Sequence, residues 1–128
     1  MAARIIIVHD DPDFVLMAEA ELALGGHRVM SFFNPIEALN EIDIVSRLDL
    51  LITCIEFSAG RPNGISVALM ARRRHAAVEI LFTAQPEFRQ AAEDIGTFLT
   101  LPATQQEFSA TIAPLLAASG VNQRIGPL

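Results

Sequence analysis

The chain has 128 residues, enough for one domain, and 52% of them are hydrophobic against 19% charged, so a packed core is expected and wholesale disorder is excluded. Its net charge of −6 argues against binding nucleic acid by phosphate neutralisation. The single cysteine, Cys54, cannot form an internal disulfide, and the apolar run Ile5 to Val8 is too short for a signal peptide or a membrane span, so a cytoplasmic protein away from the membrane is expected.

In chain order, Arg4 to His9 (RIIIVH) is a β-branched run suited to a strand covered on both faces. Asp10, Asp11, Pro12 and Asp13 break it, and Pro12 fits a first helical turn. Asp13 to Leu24 is predicted helical, with Val15, Ala18 and Leu22 at helical spacing and Gly25 and Gly26 as the stop. A second strand lies within His27 to Phe33. Asn34, Pro35 and Glu37 form a start signal for the next helix, with Asn34 as cap and Glu37 placed to reach back to it. That helix carries Ala38, Leu39, Ile42 and Val45 on one face, and Glu37, Asn40 and Glu41 on the other.

Leu48 to Cys54 is the third predicted strand, and Ser58 to Gly64 a loop of turn-forming residues. Ile65 to His75 reads as a third helix ending in Arg72, Arg73, Arg74 and His75. These cations either answer the negative end of the helix dipole or form a patch for a phosphate or a partner. Val78 to Thr83 is the fourth strand, Pro86 to Ile95 a short polar helix, and Thr97 to Leu101 the fifth strand. Thr104 and Glu107 form a capping box ahead of Phe108, Ile112, Leu115 and Leu116. Pro114 predicts a kink or an early end in this last helix. Residues 1–119 are assigned to one domain and 120–128 to a tail or the start of a linker, and no output domain is expected within this length.

Strands alternating with helices imply an α/β fold, a doubly wound parallel sheet with helices on both faces. Ligands of such sheets sit beyond the carboxyl ends of the strands. Here those ends carry His9, Asp10 and Asp11, then Cys54, then Thr83, then Leu101.

The segments IIIVHDDPDF, LDLLITCIEF with Asn63 and Gly64, ILFTA and FLTLP occur in order over roughly residues 4 to 118, and together they resemble the receiver domain of bacterial two-component response regulators. The resemblance implies a flavodoxin-like five-stranded sandwich of strand order 2-1-3-4-5. It implies a pocket holding two acids, a phosphate-accepting aspartate, a hydroxyl residue and a lysine around a magnesium ion. The chemistry explains the set, because magnesium takes hard oxygen ligands and phosphoryl transfer needs its spreading negative charge offset.

This sequence keeps part of that set. His9 stands at the first acidic position, Asp10 at the second as a retained metal-ligand candidate, and Asp11 follows. Cys54 replaces the phosphate-accepting aspartate, Thr83 is retained, and Leu101 before Pro102 stands where the lysine belongs. Phe98 matches the aromatic switch position that couples to the hydroxyl residue, here Thr83. A thiol near Asp10 and Asp11 is expected to stay protonated, and sulfur is a poor magnesium ligand. The expectation is an atypical, non-enzymatic receiver with magnesium binding weakened and no other cofactor. Its contacts would be with a histidine kinase, a phosphotransfer protein or an output protein. The face of the fourth helix, fifth strand and fifth helix would serve partners or a homodimer, drawing on Phe88, Arg89, Glu93, Thr100 and Gln105. Two alternatives use the same pocket: a thiol redox switch at Cys54, or a zinc site from His9, Asp10 and Cys54. A hydrolase-like reading of Cys54, His9 and Asp11 needs no separate place, because the receiver likeness already accounts for those positions. No glycine-rich phosphate loop follows the first strand.

Overall fold

The structure, a computed structural model, describes residues 2–57 and 61–118. The start of the Ser58 to Gly64 loop and the tail from 119 onward lie outside the described residues. Five parallel strands, β1 (Arg4–Val8), β2 (Arg28–Phe32), β3 (Leu50–Cys54), β4 (Glu79–Ala84) and β5 (Thr97–Thr100), form one sheet in the order β2-β1-β3-β4-β5. The helices are α1 (Pro12–Leu24), α2 (Pro35–Ile44), α3 (Gly64–Arg74), α4 (Arg89–Ala92) and α5 (Gln105–Ala118). This is the doubly wound, flavodoxin-like fold expected from the sequence.

Alternation along the strands divides the core in two. Ile6, Val8, Leu51, Ile80 and Phe82 face one layer with Ala38, Ile42, Val67 and Ala68 from α2 and α3. Ile5, Ile7, Leu50, Ile52 and Leu81 face the other with Phe14, Ala18 and Leu22 of α1 and Phe108 and Ile112 of α5. β3 is buried at every position, which is why its sequence is a continuous apolar run rather than an alternating one.

The predicted boundaries shift by about a residue where ladder bonding outlasts regular strand geometry. His9 N–H still donates to the Phe32 carbonyl, and Leu101 N–H to the Ala84 carbonyl, although β1 and β5 end just before them. The Asn34 side chain caps α2 by accepting the Ile36 N–H, without a return bond from Glu37. The box at Thr104 and Glu107 closes in both directions, at 3.0 and 2.8 Å.

Two expectations are corrected. The helix predicted over Pro86 to Ile95 is a 3-10 turn, Pro86–Phe88, followed by the single α-turn of α4. Its last predicted residues form turns because Gly96 runs hard against β4: a Cβ there would stand 2.7 Å from the Ile80 Cβ. Of the kink or early end predicted at Pro114, the early end does not occur, since α5 continues to Ala118. Leu115, just beyond the proline, is buried and holds the last turn against the core.

The basic run at the end of α3 is spent on neighbouring backbone. Arg72 donates to the carbonyls of Ile95 and Val78, Arg74 to that of Asp43, and His75 Nε2 to that of Ile42. Arg74 and His75 therefore satisfy the terminal carbonyls of α2 rather than serving the dipole of their own helix alone. Only Arg73 of the four lacks such a bond among the described residues.

Candidate functional site

The parallel register brings the predicted residues to one edge. Cys54 pairs with Thr83 across β3 and β4, and Val8, just before His9, pairs with Thr53. A cleft of about 160 Å³ opens there, lined by His9, Asp10, Cys54, Glu56, Thr83 and Leu101 among others. Phe88 also lines it, so this residue belongs to the cleft as well as to the outer face predicted from the sequence. Asp11 stands apart: its carboxylate caps α1 by accepting the Asp13 N–H at 3.0 Å.

His9 is the organising residue. It is buried, its ring is stacked on Phe14 with centroids 4.4 Å apart, and Phe14 in turn meets Phe108 edge-on. Its Nδ1 accepts the backbone N–H of Asp11 at 3.1 Å, and its Nε2 lies 3.0 Å from the Thr83 hydroxyl. A backbone N–H can only donate, so in the neutral ring the proton sits on Nε2 and is given to Thr83 Oγ1. The nearest Asp10 carboxylate oxygen is 3.7 Å from Nδ1. Thr83 is thus bonded to a side chain across the sheet, not to backbone alone.

Burial pushes the His9 pKa below its ordinary 6.5, against the weaker upward pull of Asp10 and Asp11. The sign for stability follows: the unfolded chain takes up the proton first, so the contribution is fully present above 6.5 and drains away as pH falls through it. Thermal unfolding is expected at progressively lower temperature as pH drops from about 7.5 to about 5.5, with a shallower slope in His9→Gln. Some slope will remain, because His27 Nδ1 accepts the Ala3 N–H and its pKa is also lowered by burial. An unchanged slope in His9→Gln would contradict this assignment.

Cys54 is 5% exposed, and its thiol donates to the Glu56 carbonyl at 3.4 Å. Burial first, then the charge of Asp10, pushes its pKa up to about 12. The direction is the one the sequence predicts, but burial leads, and Asp11 plays no part in it. A neutral, buried thiol is a poor nucleophile and resists oxidation, which weighs against the redox switch. His9, Asp10 and Cys54 do converge, with one ligand atom from each within 4.8 Å of the others. Zinc there would have to strip a strongly held proton from sulfur and take a ring nitrogen already bonded to Asp11 or Thr83, so the geometry favours neither alternative. Magnesium fits poorly too, since the donors that converge with Asp10 are a neutral thiol and an imidazole, leaving Glu56 as the other carboxylate lining the cleft.

The opposite wall is apolar. Leu101 reaches the cleft beside the cis peptide to Pro102 and packs against the core layer of α1 and α5. Phe98 is 8% exposed and lies under the guanidinium of Arg89, 4.8 Å above the ring centroid. Arg89 also donates to Glu93 and to the Thr100 hydroxyl, at 3.2 and 3.0 Å. Gln105 is turned away from this group, toward Glu21 on α1.

The strand order and the position of this cleft define a receiver-type fold, and solved structures agree. The chain superimposes on a CheY-like response regulator receiver domain protein from Methanospirillum hungatei with a TM-score of 0.80 at 18% identity, covering 98% of this chain and 100% of that one. A response regulator receiver protein from Sinorhizobium medicae gives 0.80 at 22% identity, over 92% and 97%. A protein named as an adenylate cyclase from Rhodopirellula baltica gives 0.83 at 18% identity, over 98% and 95%. The fold is that of response regulator receiver domains. No family model and no curated protein matches the sequence. Among the described residues, no helix is long and apolar enough to cross a membrane.

Three features of the cleft were out of reach of sequence reading: the His9 bond to Thr83, the Phe14 stack beneath it, and the Arg89 cover on Phe98. A signal for the second was present in the aromatic residue five positions after His9, across a turn that doubles back into a helix.

Proposed function

We propose that the chain is an atypical receiver domain of two-component phosphorelay signalling, non-enzymatic and cytoplasmic, acting through protein contacts without aspartyl phosphorylation. The carrying observation is the buried Cys54 thiol at the acceptor position, donating to the Glu56 carbonyl where a carboxylate would be needed. Two neighbours support it. Leu101 offers no positive charge to a phosphoryl group, and His9 occupies the Thr83 hydroxyl that such a group would use. Phe98, buried beneath Arg89, supports a single fixed state rather than a switching one. The partners in this reading are a histidine kinase, a phosphotransfer protein or an output protein, with a homodimer through α4, β5 and α5 as a further element. Magnesium would bind weakly, through Asp10.

Acetyl phosphate with magnesium is the direct test. Intact mass and sedimentation are both expected to stay unchanged. A gain of one phosphoryl group, mapped to Asp10 or Asp11, would overturn the proposal.

A further inference from the structure

At the other end of the sheet from the cleft lies a second cavity, of about 260 Å³, whose walls are mostly hydrocarbon and whose rim is arginine. Ile6, Met30, Val45 and Leu48 line it, with Arg4, Arg28 and Arg47 around them. Arg4 and Arg28 are register partners on β1 and β2, so their side chains leave the same face of adjacent strands, roughly 5 Å apart at the backbone. Ile6 and Met30, the next pair on that face, form the floor, and Met30 is 44% exposed.

Like charges directly opposite one another across a ladder disfavour the sheet unless something offsets them. Among the described residues neither guanidinium has an ion pair or a hydrogen bond, in a chain carrying 15 acidic residues, and the nearby Asp49 carboxylate takes the backbone N–H of Arg4 at 2.8 Å rather than its side chain. Arg47 is half engaged, with Nε on Asp49 and Nη2 on the Ala2 carbonyl, and its Nη1 has no hydrogen bond among the described residues. The nearby C-terminal end of α2 does not call for these cations, because Arg74 and His75 already bond its carbonyls.

We propose that this cavity binds a small carboxylate with an apolar tail. The head lies between Arg4 and Arg28, where two guanidinium forks can each take a carboxylate oxygen, and the hydrocarbon covers Met30, Val45 and Leu48. The cavity is near the lower limit for small-molecule sites, which restricts the ligand to a short or medium chain. The proposal is independent of the phosphorylation chemistry at Cys54.

Octanoate is the probe, titrated by calorimetry and by amide chemical shifts, with octanol and inorganic phosphate as comparisons. Saturable octanoate binding is expected, with shifts confined to the starts of β1 and β2 and the end of α2. Octanol and phosphate should each bind at least about tenfold more weakly, since one lacks the charge and the other the tail. Arg28→Gln lies at an exposed edge position and removes the repulsion with Arg4, so its thermal unfolding should occur at or slightly above the parent's temperature while octanoate affinity falls about tenfold. Arg4→Gln provides the same readout from the neighbouring strand. Phosphate binding as well as octanoate, or octanoate affinity unchanged in both arginine variants, or no saturable binding at all, would overturn the proposal.

Discussion

Gly64→Ala is expected to destabilise the protein by about 3 kcal/mol or more, at the upper end of overpacking effects. Gly64 opens α3, and its N–H donates to the Ile55 carbonyl at 2.7 Å. A methyl group there would stand 1.8 Å from the Cys54 carbonyl oxygen and 2.8 Å from its carbon. Both are backbone atoms, so no side chain can rotate out of the way. The helix must lift from the end of β3, and the residue it disturbs first is Cys54. A urea-unfolding midpoint gives the loss, and amide shifts at residues 54 and 55 report the displacement. Gly26→Ala is the useful contrast. Gly26 has a φ of +77° but open space around it, so only the backbone penalty of about 1 kcal/mol applies. Equal losses at the two positions would mean that the close approach at Gly64 is relieved elsewhere.

The second large effect follows from the proposal that Cys54 takes no phosphoryl group. Cys54→Asp alone is expected to leave the chain almost inert toward acetyl phosphate. The new carboxylate would lie beside Asp10, facing Leu101, with Thr83 still bonded to His9. Combining it with His9→Asp and Leu101→Lys supplies a third carboxylate for magnesium, a cation for the phosphoryl oxygens and a freed hydroxyl. Removing a single such stabilising group typically costs a hundredfold or more, so the triple variant should be phosphorylated at least about a hundredfold faster than Cys54→Asp. Intact-mass time courses at matched magnesium measure the ratio. If the single variant were phosphorylated as fast as the triple, then Leu101 and His9 would not be the obstacles described here.

Those departures were legible before any coordinates because strand-end positions can be counted. β3 ends where its apolar run ends, and the residue at that end is Cys54 whatever surrounds it. The capping signals at Asn34 and Thr104 were likewise local, and both side chains cap as written. What could not be read depends on packing between distant segments. His9 meets Thr83 across 74 residues, and no pattern near either one specifies the bond. The early end considered at Pro114 and the helix read over Pro86 to Ile95 failed in opposite directions for the same reason. Buried Leu115 holds a helix together past a proline, while the pressure of Gly96 on Ile80 ends one that its own residues would extend. Propensity is a weak prior once tertiary contact decides.

Arg89 also decides from which side Phe98 is shielded. Here the ring is covered from the solvent side by a side chain whose other attachments, Glu93 and Thr100, are also at the surface. Whatever displaces that guanidinium, such as a docking acidic surface competing for it, would release the ring from outside. Loss of that cover would begin at the surface, with Arg89, Glu93 and Thr100, none of which is among the residues that line the cleft.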